Sequence, residues 1–204
     1  MNRIDTSLKT NSKSAPSKAR FAINTLSACL MLTFGVTAQT LPTGGVVAAG
    51  AATIANSAAS TTITQSTGNV VINWQSFGIG PGQTVQFIQP GSNSVALNRV
   101  LGSDPSSILG NLSANGKVFL LNPNGILFGS RASVNVGGLV ATTLGITDTN
   151  FMAGRYAFTD AGNGLIANHG SIAAADGGYV ALMGKSVSNQ GIVSARLGTV
   201  ALAA

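Results

Sequence analysis

The sequence predicts an all-β solenoid, a parallel β-helix of about 21 residues per coil, and three observations carry that expectation. Gly116-Lys117-Val118-Phe119-Leu120, Gly178-Tyr179-Val180-Ala181-Leu182 and Gly198-Thr199-Val200-Ala201-Leu202 share the pattern G-x-V-x-L at separations of 62 and 20 residues. Three periods of about 20.7 residues fill the longer gap, which puts all three in one register. Asn168-His169-Gly170 and Asn189-Gln190-Gly191 form a second column 21 residues apart, and a short apolar run follows each. Composition is the third observation. Glu is absent and charged residues are 8% of the chain, so helices built on Glu–Lys pairs are excluded, while 26 glycines among Val, Ile, Thr, Ser and Asn suit short strands and tight turns.

Residues 1–38 read as a signal peptide. A polar, basic start is followed by the apolar run Phe21 to Val36 and the small-residue pattern Val36-Thr37-Ala38, which predicts cleavage between Ala38 and Gln39. The run is short for a membrane span, and no comparable run follows it. Leu26-Ser27-Ala28-Cys29 fits a lipoprotein-processing box, but the apolar run continues past Cys29, which favours ordinary cleavage. Cys29 is the only cysteine, so the remaining chain has no disulfide to supplement its core. Residues 39–204 form the second domain.

Residues 39–100 are less regular. Ile63, then Val70, Ile72 and Trp74, then Val85 and Phe87 are expected on strands that begin and cap the solenoid, because an uncapped edge recruits other chains. Asp104-Pro105-Ser106-Ser107-Ile108-Leu109-Gly110 reads as one helical turn, with Asp at the N-cap, Pro at the first position and Gly closing it. From residue 116 onward, alternation of period two places Val118 and Leu120, Val180 and Leu182, and Val200 and Leu202 on one face, with Lys117, Tyr179 and Thr199 on the other. Residues 146–163 break the pattern as an excursion from the coil. About eight coils are expected in all. The chain stops at Val200–Ala204 within a strand column, which predicts that further coils follow in the full-length protein.

The net charge of +6 is not a nucleic-acid signature. Arg3, Lys9, Lys13, Lys18 and Arg20 hold five of the eleven cations within the signal, and beyond residue 38 six cations face four Asp. Signals for chemistry also fail. Gly184-Lys185-Ser186 lacks the first glycine of a phosphate loop, Gly78 to Gly82 is a turn, and His169 is the only histidine and sits in an Asn-His-Gly turn. Asp104, Asp148, Asp160 and Asp176 are scattered, whereas β-helical lyases and hydrolases cluster their carboxylates. No catalytic, cofactor or metal site is expected. Asn122-Pro123-Asn124-Gly125, between Val118–Leu121 and Ile126–Phe128, reads as a rigid turn and on turn chemistry alone is a corner of the coil.

The run Leu97 to Gly129, LNRVLGSDPSSILGNLSANGKVFLLNPNGILFG, with Asn73-Trp74-Gln75-Ser76-Phe77 upstream, resembles the secretion domain of two-partner secretion exoproteins. That family includes the filamentous haemagglutinin-like and high-molecular-weight adhesins, and the similarity spans nearly all of residues 43–204. The chain carries no second NPNL motif, which places it nearer the high-molecular-weight branch. The resemblance implies a right-handed β-helix. It also implies Sec export, signal peptidase cleavage, recognition in the periplasm by the periplasmic domains of a partner outer-membrane transporter, and delivery to the surface of a Gram-negative cell. Host-surface ligands would belong to the passenger. Asn122, Pro123, Asn124 and Gly125, with Asn98 and Arg99, become the candidate secretion motif. The rival is a free-standing binder of haem or glycan using the β-helix face, which exposed aromatic or cationic clusters would favour.

Overall fold

The computed structural model describes residues 41–204. The signal segment and the Ala38–Gln39 cleavage site lie outside the described residues. Among the described residues, apart from one five-residue helix, the regular structure is strand, wound into three mainly parallel sheets with one further two-stranded antiparallel pair. Each coil runs from sheet I round a corner to sheet II, through a tight turn to sheet III, and back to sheet I. In one full coil these segments are Lys117–Leu121, Ile126–Phe128 and Ser133–Val136, and Gly138–Thr142 starts the next.

Sheet I holds six parallel rungs: Asn69–Trp74, Val95–Val100, Lys117–Leu121, Gly138–Thr142, Tyr179–Met183 and Thr199–Ala203. Its inward columns stack like on like. One runs Val70, Ala96, Val118, Leu139, Val180, Val200, and the next runs Ile72, Asn98, Leu120, Ala141, Leu182, Leu202. The expected alignment of Val118, Val180 and Val200 is therefore present, but with fewer coils than expected, six rather than about eight. From Val118 to Leu139 is 21 positions, and from Leu139 to Val180 is 41. The gap of 62 is thus two rungs with an inserted excursion, not three even periods, because residue count alone does not separate a coil from an insertion.

The glycine that opens each G-x-V-x-L motif has a steric cause. Gly116, Gly137, Gly178 and Gly198 stack at the corner entering sheet I, and a Cβ at any of the last three would overlap the carbonyl oxygen of the glycine below. Inside the coil, Ile63, Phe87, Leu112, Val134 and Ile172 from sheet III meet the inward columns of sheet I in one core.

One correction concerns a local element. Ser106–Ile108 is a strand of sheet II, paired in parallel with Ile126–Phe128, and not part of a helical turn. Asp and Pro supply the local chemistry of a helix start, but lateral pairing on a growing sheet satisfies the same backbone groups and buries Ser106 and Ile108. The N-terminal stretch begins and caps the solenoid as expected: Val46–Ala49 and Ala52–Asn56 pair antiparallel and close the ends of sheets I and III, and from Ser60–Gln65 onward the strands join the parallel stack.

The excursion is real and structured. It leaves sheet I through Leu144–Gly145, forms the helix Asp148–Met152, and returns through Thr159–Ala161, which pairs antiparallel with Leu144–Gly145. Thr147 caps the helix by accepting from the Asn150 amide. The flap lies on the outer face of sheet I, where Val95, Leu97, Phe119, Leu121, Val140 and Phe151 form a second buried cluster. Phe119 meets Phe151 at 5.8 Å and Tyr156 at 4.9 Å between ring centroids, both edge-on.

Candidate functional site

The Asn122–Gly125 corner joins sheet I to sheet II. The Gly125 amide donates to the Asn122 carbonyl at 3.1 Å, closing a β-turn over Pro123 and Asn124. The Asn122 side-chain oxygen accepts from the Asn124 amide at 2.9 Å, which fixes the turn from within. Gly125 has φ +114°, and a Cβ there would meet the Leu165 carbonyl of the coil above at 2.8 Å.

The same corner brackets neighbouring coils. Asn122 is fully buried and its Nδ2 donates to the Asp104 carbonyl and to Ser106 Oγ, both at 3.0 Å. Asn124 Nδ2 donates to the Gly102 carbonyl at 2.9 Å, and the Pro123 carbonyl accepts from the Gly164 amide at 3.0 Å. Pro123 and Asn124 are exposed. Two shallow depressions flank them, one of about 550 Å³ lined by Ser103, Pro105, Gly162 and Gly164, and one of about 500 Å³ reaching Ile126, Leu127 and Leu165.

Asn98 and Arg99 do not share that surface. Asn98 points into the core within an otherwise aliphatic column, where it accepts from Trp74 Nε1 at 3.0 Å and donates to the Ala96 and Phe119 carbonyls at 3.3 Å each. Arg99 points outward from the same strand. It donates to the Ile146 carbonyl at 2.7 Å and to Asn73 Oδ1 at 3.2 Å, and its guanidinium lies 2.7 Å from the Asp148 carboxylate, pinning the start of the flap. Asn98 thus serves the interior and Arg99 the flap, while Pro123 and Asn124 face solvent.

Sequence reading missed Gly162 and Gly164. Both return the flap to the coil against this corner, and a side chain on either would overlap the Pro123 carbonyl or the Gly125 amide. The Gly-Asn-Gly string at 162–164, where the segment read as an excursion ends, was the available signal. His169 is exposed on its turn, and Asp148 and Asp176 pair with Arg99 and Arg196. Among the described residues no three His, Cys, Asp or Glu side chains converge as metal ligands, and no helix is long and apolar enough to cross a membrane.

A coil stitched by amide brackets and closed by an antiparallel cap defines a β-helical domain. Comparison with known proteins narrows the class. The family described as TPS secretion domain, TPS standing for two-partner secretion, matches residues 7–204, and the chain belongs to that family. It is 38% identical to the crystal structure of the HMW1 secretion domain from Haemophilus influenzae, with a TM-score of 0.76 over 80% of this chain and 44% of that one. It is also similar to two heme/hemopexin-binding proteins of Haemophilus influenzae, at 44% identity over 127 residues and 45% over 98 residues. These matches take in 60% and 48% of this chain but 14% and 11% of the relatives, so the chain spans a small part of their length. The family is one of exported proteins that cross the outer membrane with a partner transporter, as the resemblance in the motif run implied.

Proposed function

We propose that this domain is the N-terminal secretion signal and folding nucleus of a longer adhesin- or haemagglutinin-like exoprotein. In this reading the Sec machinery exports the chain, signal peptidase cleaves between Ala38 and Gln39, and the periplasmic domains of the partner barrel bind the extended segment before it folds. The exoprotein then reaches the surface of a Gram-negative cell or the medium, and its passenger carries any host ligand. No catalytic step is assigned to this domain.

The observation that carries the reading is the family match across residues 7–204, joined to a fold whose contacts are rung to rung. No ATP is available outside the inner membrane. A solenoid needs none to fold, because each emerging coil pairs with the one before it at low loop-closure cost. An extended amphipathic strand offers its backbone for addition to a sheet edge of the transporter. What the Haemophilus relatives bind belongs to much longer chains, and no described residue of this one favours a haem or glycan site over the secretion role.

Within the motif, Pro123 and Asn124 are the positions assigned to direct recognition: all six are accessible in the extended chain, but the folded coil leaves these two exposed and so accounts least for their identity. Asn98, Arg99, Asn122 and Gly125 act through the fold. Co-expression with the partner barrel tests this. Replacing Pro123 and Asn124 by Ala is expected to stop export while the purified domain stays folded, losing only about 0.5 to 1.5 kcal/mol with the exposed Asn124–Gly102 bond. Export that survives Ala at all six positions overturns the assignment.

A further inference from the structure

The chain contains three Asn-Gly dipeptides, Asn115-Gly116, Asn124-Gly125 and Asn163-Gly164. In an unfolded chain this pair is labile. The glycine backbone nitrogen loses its proton and attacks the asparagine Cγ, a C–N bond closes a succinimide ring, and the side-chain nitrogen leaves as ammonia. Water then opens the ring at either carbonyl to give aspartate or isoaspartate, and no oxidant or reductant is consumed. The step needs a glycine amide that is not engaged and an asparagine side chain free to turn back onto the backbone.

The coil removes these freedoms unequally. At the first site the Gly116 amide donates to the buried Gln89 Oε1 at 3.0 Å, and the Asn115 side chain is held at both ends, accepting from the Gln89 amide at 2.7 Å and donating to its carbonyl at 2.8 Å. At the second, the Gly125 amide closes the corner turn and Asn124 is tied to Gly102 and Asn122. At the third, the Gly164 amide bonds the Pro123 carbonyl, but Asn163 is exposed and accepts at 3.2 Å from Lys185, itself exposed.

We propose that the coil shields these dipeptides site by site. Asn163, whose side chain is held only by an exposed lysine, is where isoaspartate forms fastest in the folded domain once the Gly164–Pro123 bond opens, and Asn115 and Asn124 are modified chiefly while the chain is unfolded. Isoaspartate at either of the last two adds a backbone carbon and puts a carboxylate where the corner needs an amide donor, so such a chain does not rebuild the bracket.

The test does not involve the transporter, so its failure is separate from failure of the secretion role. The full chain is incubated at mildly alkaline pH in buffer and in urea, and deamidation at each site is followed by peptide mass spectrometry with isoaspartate methyl transfer as a second readout. Asn115 and Asn124 are expected to react about tenfold or more slowly in buffer than in urea, since reaction there requires local opening, with Asn163 nearest its urea rate. Asn115 reacting as fast folded as in urea, or Asn163 reacting slowest in buffer, overturns the proposal. Gln89→Ala removes the acceptor of the Gly116 amide and is expected to raise the Asn115 rate in buffer while leaving Asn124 unchanged. A uniform rise at both sites, or no rise, contradicts site-by-site shielding.

Discussion

Sheets I and III wind through the same coil, yet their outer faces differ. On sheet III one outward column runs Gln86, Ser113, Asn135, Ala173 and Ser194, polar at four of its five rungs and left without a cover. On sheet I the outward residues are Val71, Leu97, Phe119 and Val140, and the flap buries them. A strand that is apolar on both faces is a strand with a cover, so Val118-Phe119-Leu120-Leu121 announces the flap as well as the core.

The largest effect that separates the two faces is Phe151→Ala. Phe151 is fully buried between the flap and sheet I, and its truncation is expected to cost about 3 to 5 kcal/mol in urea-monitored unfolding. Asn135→Ala on the bare face of sheet III is expected to change stability by less than about 0.5 kcal/mol. Equal costs would mean that the flap does not cover sheet I. Next in size is Asn98→Leu. It suits the aliphatic column but leaves the buried Trp74 indole N–H without its acceptor, so a loss of about 1 to 3 kcal/mol is expected in the same assay.

Smaller again is Leu197→Gly. Leu197 has φ +55° and is 86% exposed, and the rung beneath it carries Gly177, φ +74°, at the matching position. Removing the left-handed strain is expected to stabilise the domain by about 1 kcal/mol and to raise its melting temperature. A lower melting temperature would show that the turn is not left-handed there.

The flap also has a signature in alkali. Burial, with Tyr156 nearby as a second cause, pushes the Tyr179 phenol up from 10.0 to about 12, and burial raises Tyr156 as well. The chain has two tyrosines, so the tyrosinate absorbance reports on these two alone. Both hold their protons longer folded than unfolded. Their contribution to stability is therefore intact below 10.0 and is lost as pH rises toward about 12. In the intact domain the absorbance is expected to lag that of the urea-unfolded chain, and Phe151→Ala is expected to close the gap. Superimposable titrations would place both phenols in solvent.

Much of this fold was legible because a solenoid repeats its own constraints. Gly116, Gly178 and Gly198 mark a corner where backbones touch, and Val118, Val180 and Val200 mark the column beside it. The coil count was not legible, since the 41 positions from Leu139 to Val180 contain an excursion that pattern counting absorbed as an even period. The Asp104–Gly110 segment was misread because helix-start chemistry is local, whereas the partner that makes it a strand, Ile126–Phe128, follows only after the next rung of sheet I. At the corner, turn chemistry identified Asn122-Pro123-Asn124-Gly125, but nothing local showed that Asn122 reaches Asp104 and Ser106 on the preceding coil, or that Asn98 and Arg99 point to opposite sides of one strand.

The central claim is the lateral register of the rungs, and paired cysteines test it most directly. Asn135 lies beside Ala173 on the outer face of sheet III, across the rung that carries the excursion. Parallel neighbours stand about 4.8 Å apart, within reach of a disulfide. Asn135→Cys with Ala173→Cys is expected to cross-link on mild oxidation, while Asn135→Cys with Tyr156→Cys, one even period further on, stays reduced. A cross-link in the second pair and none in the first would contradict the stacking described here.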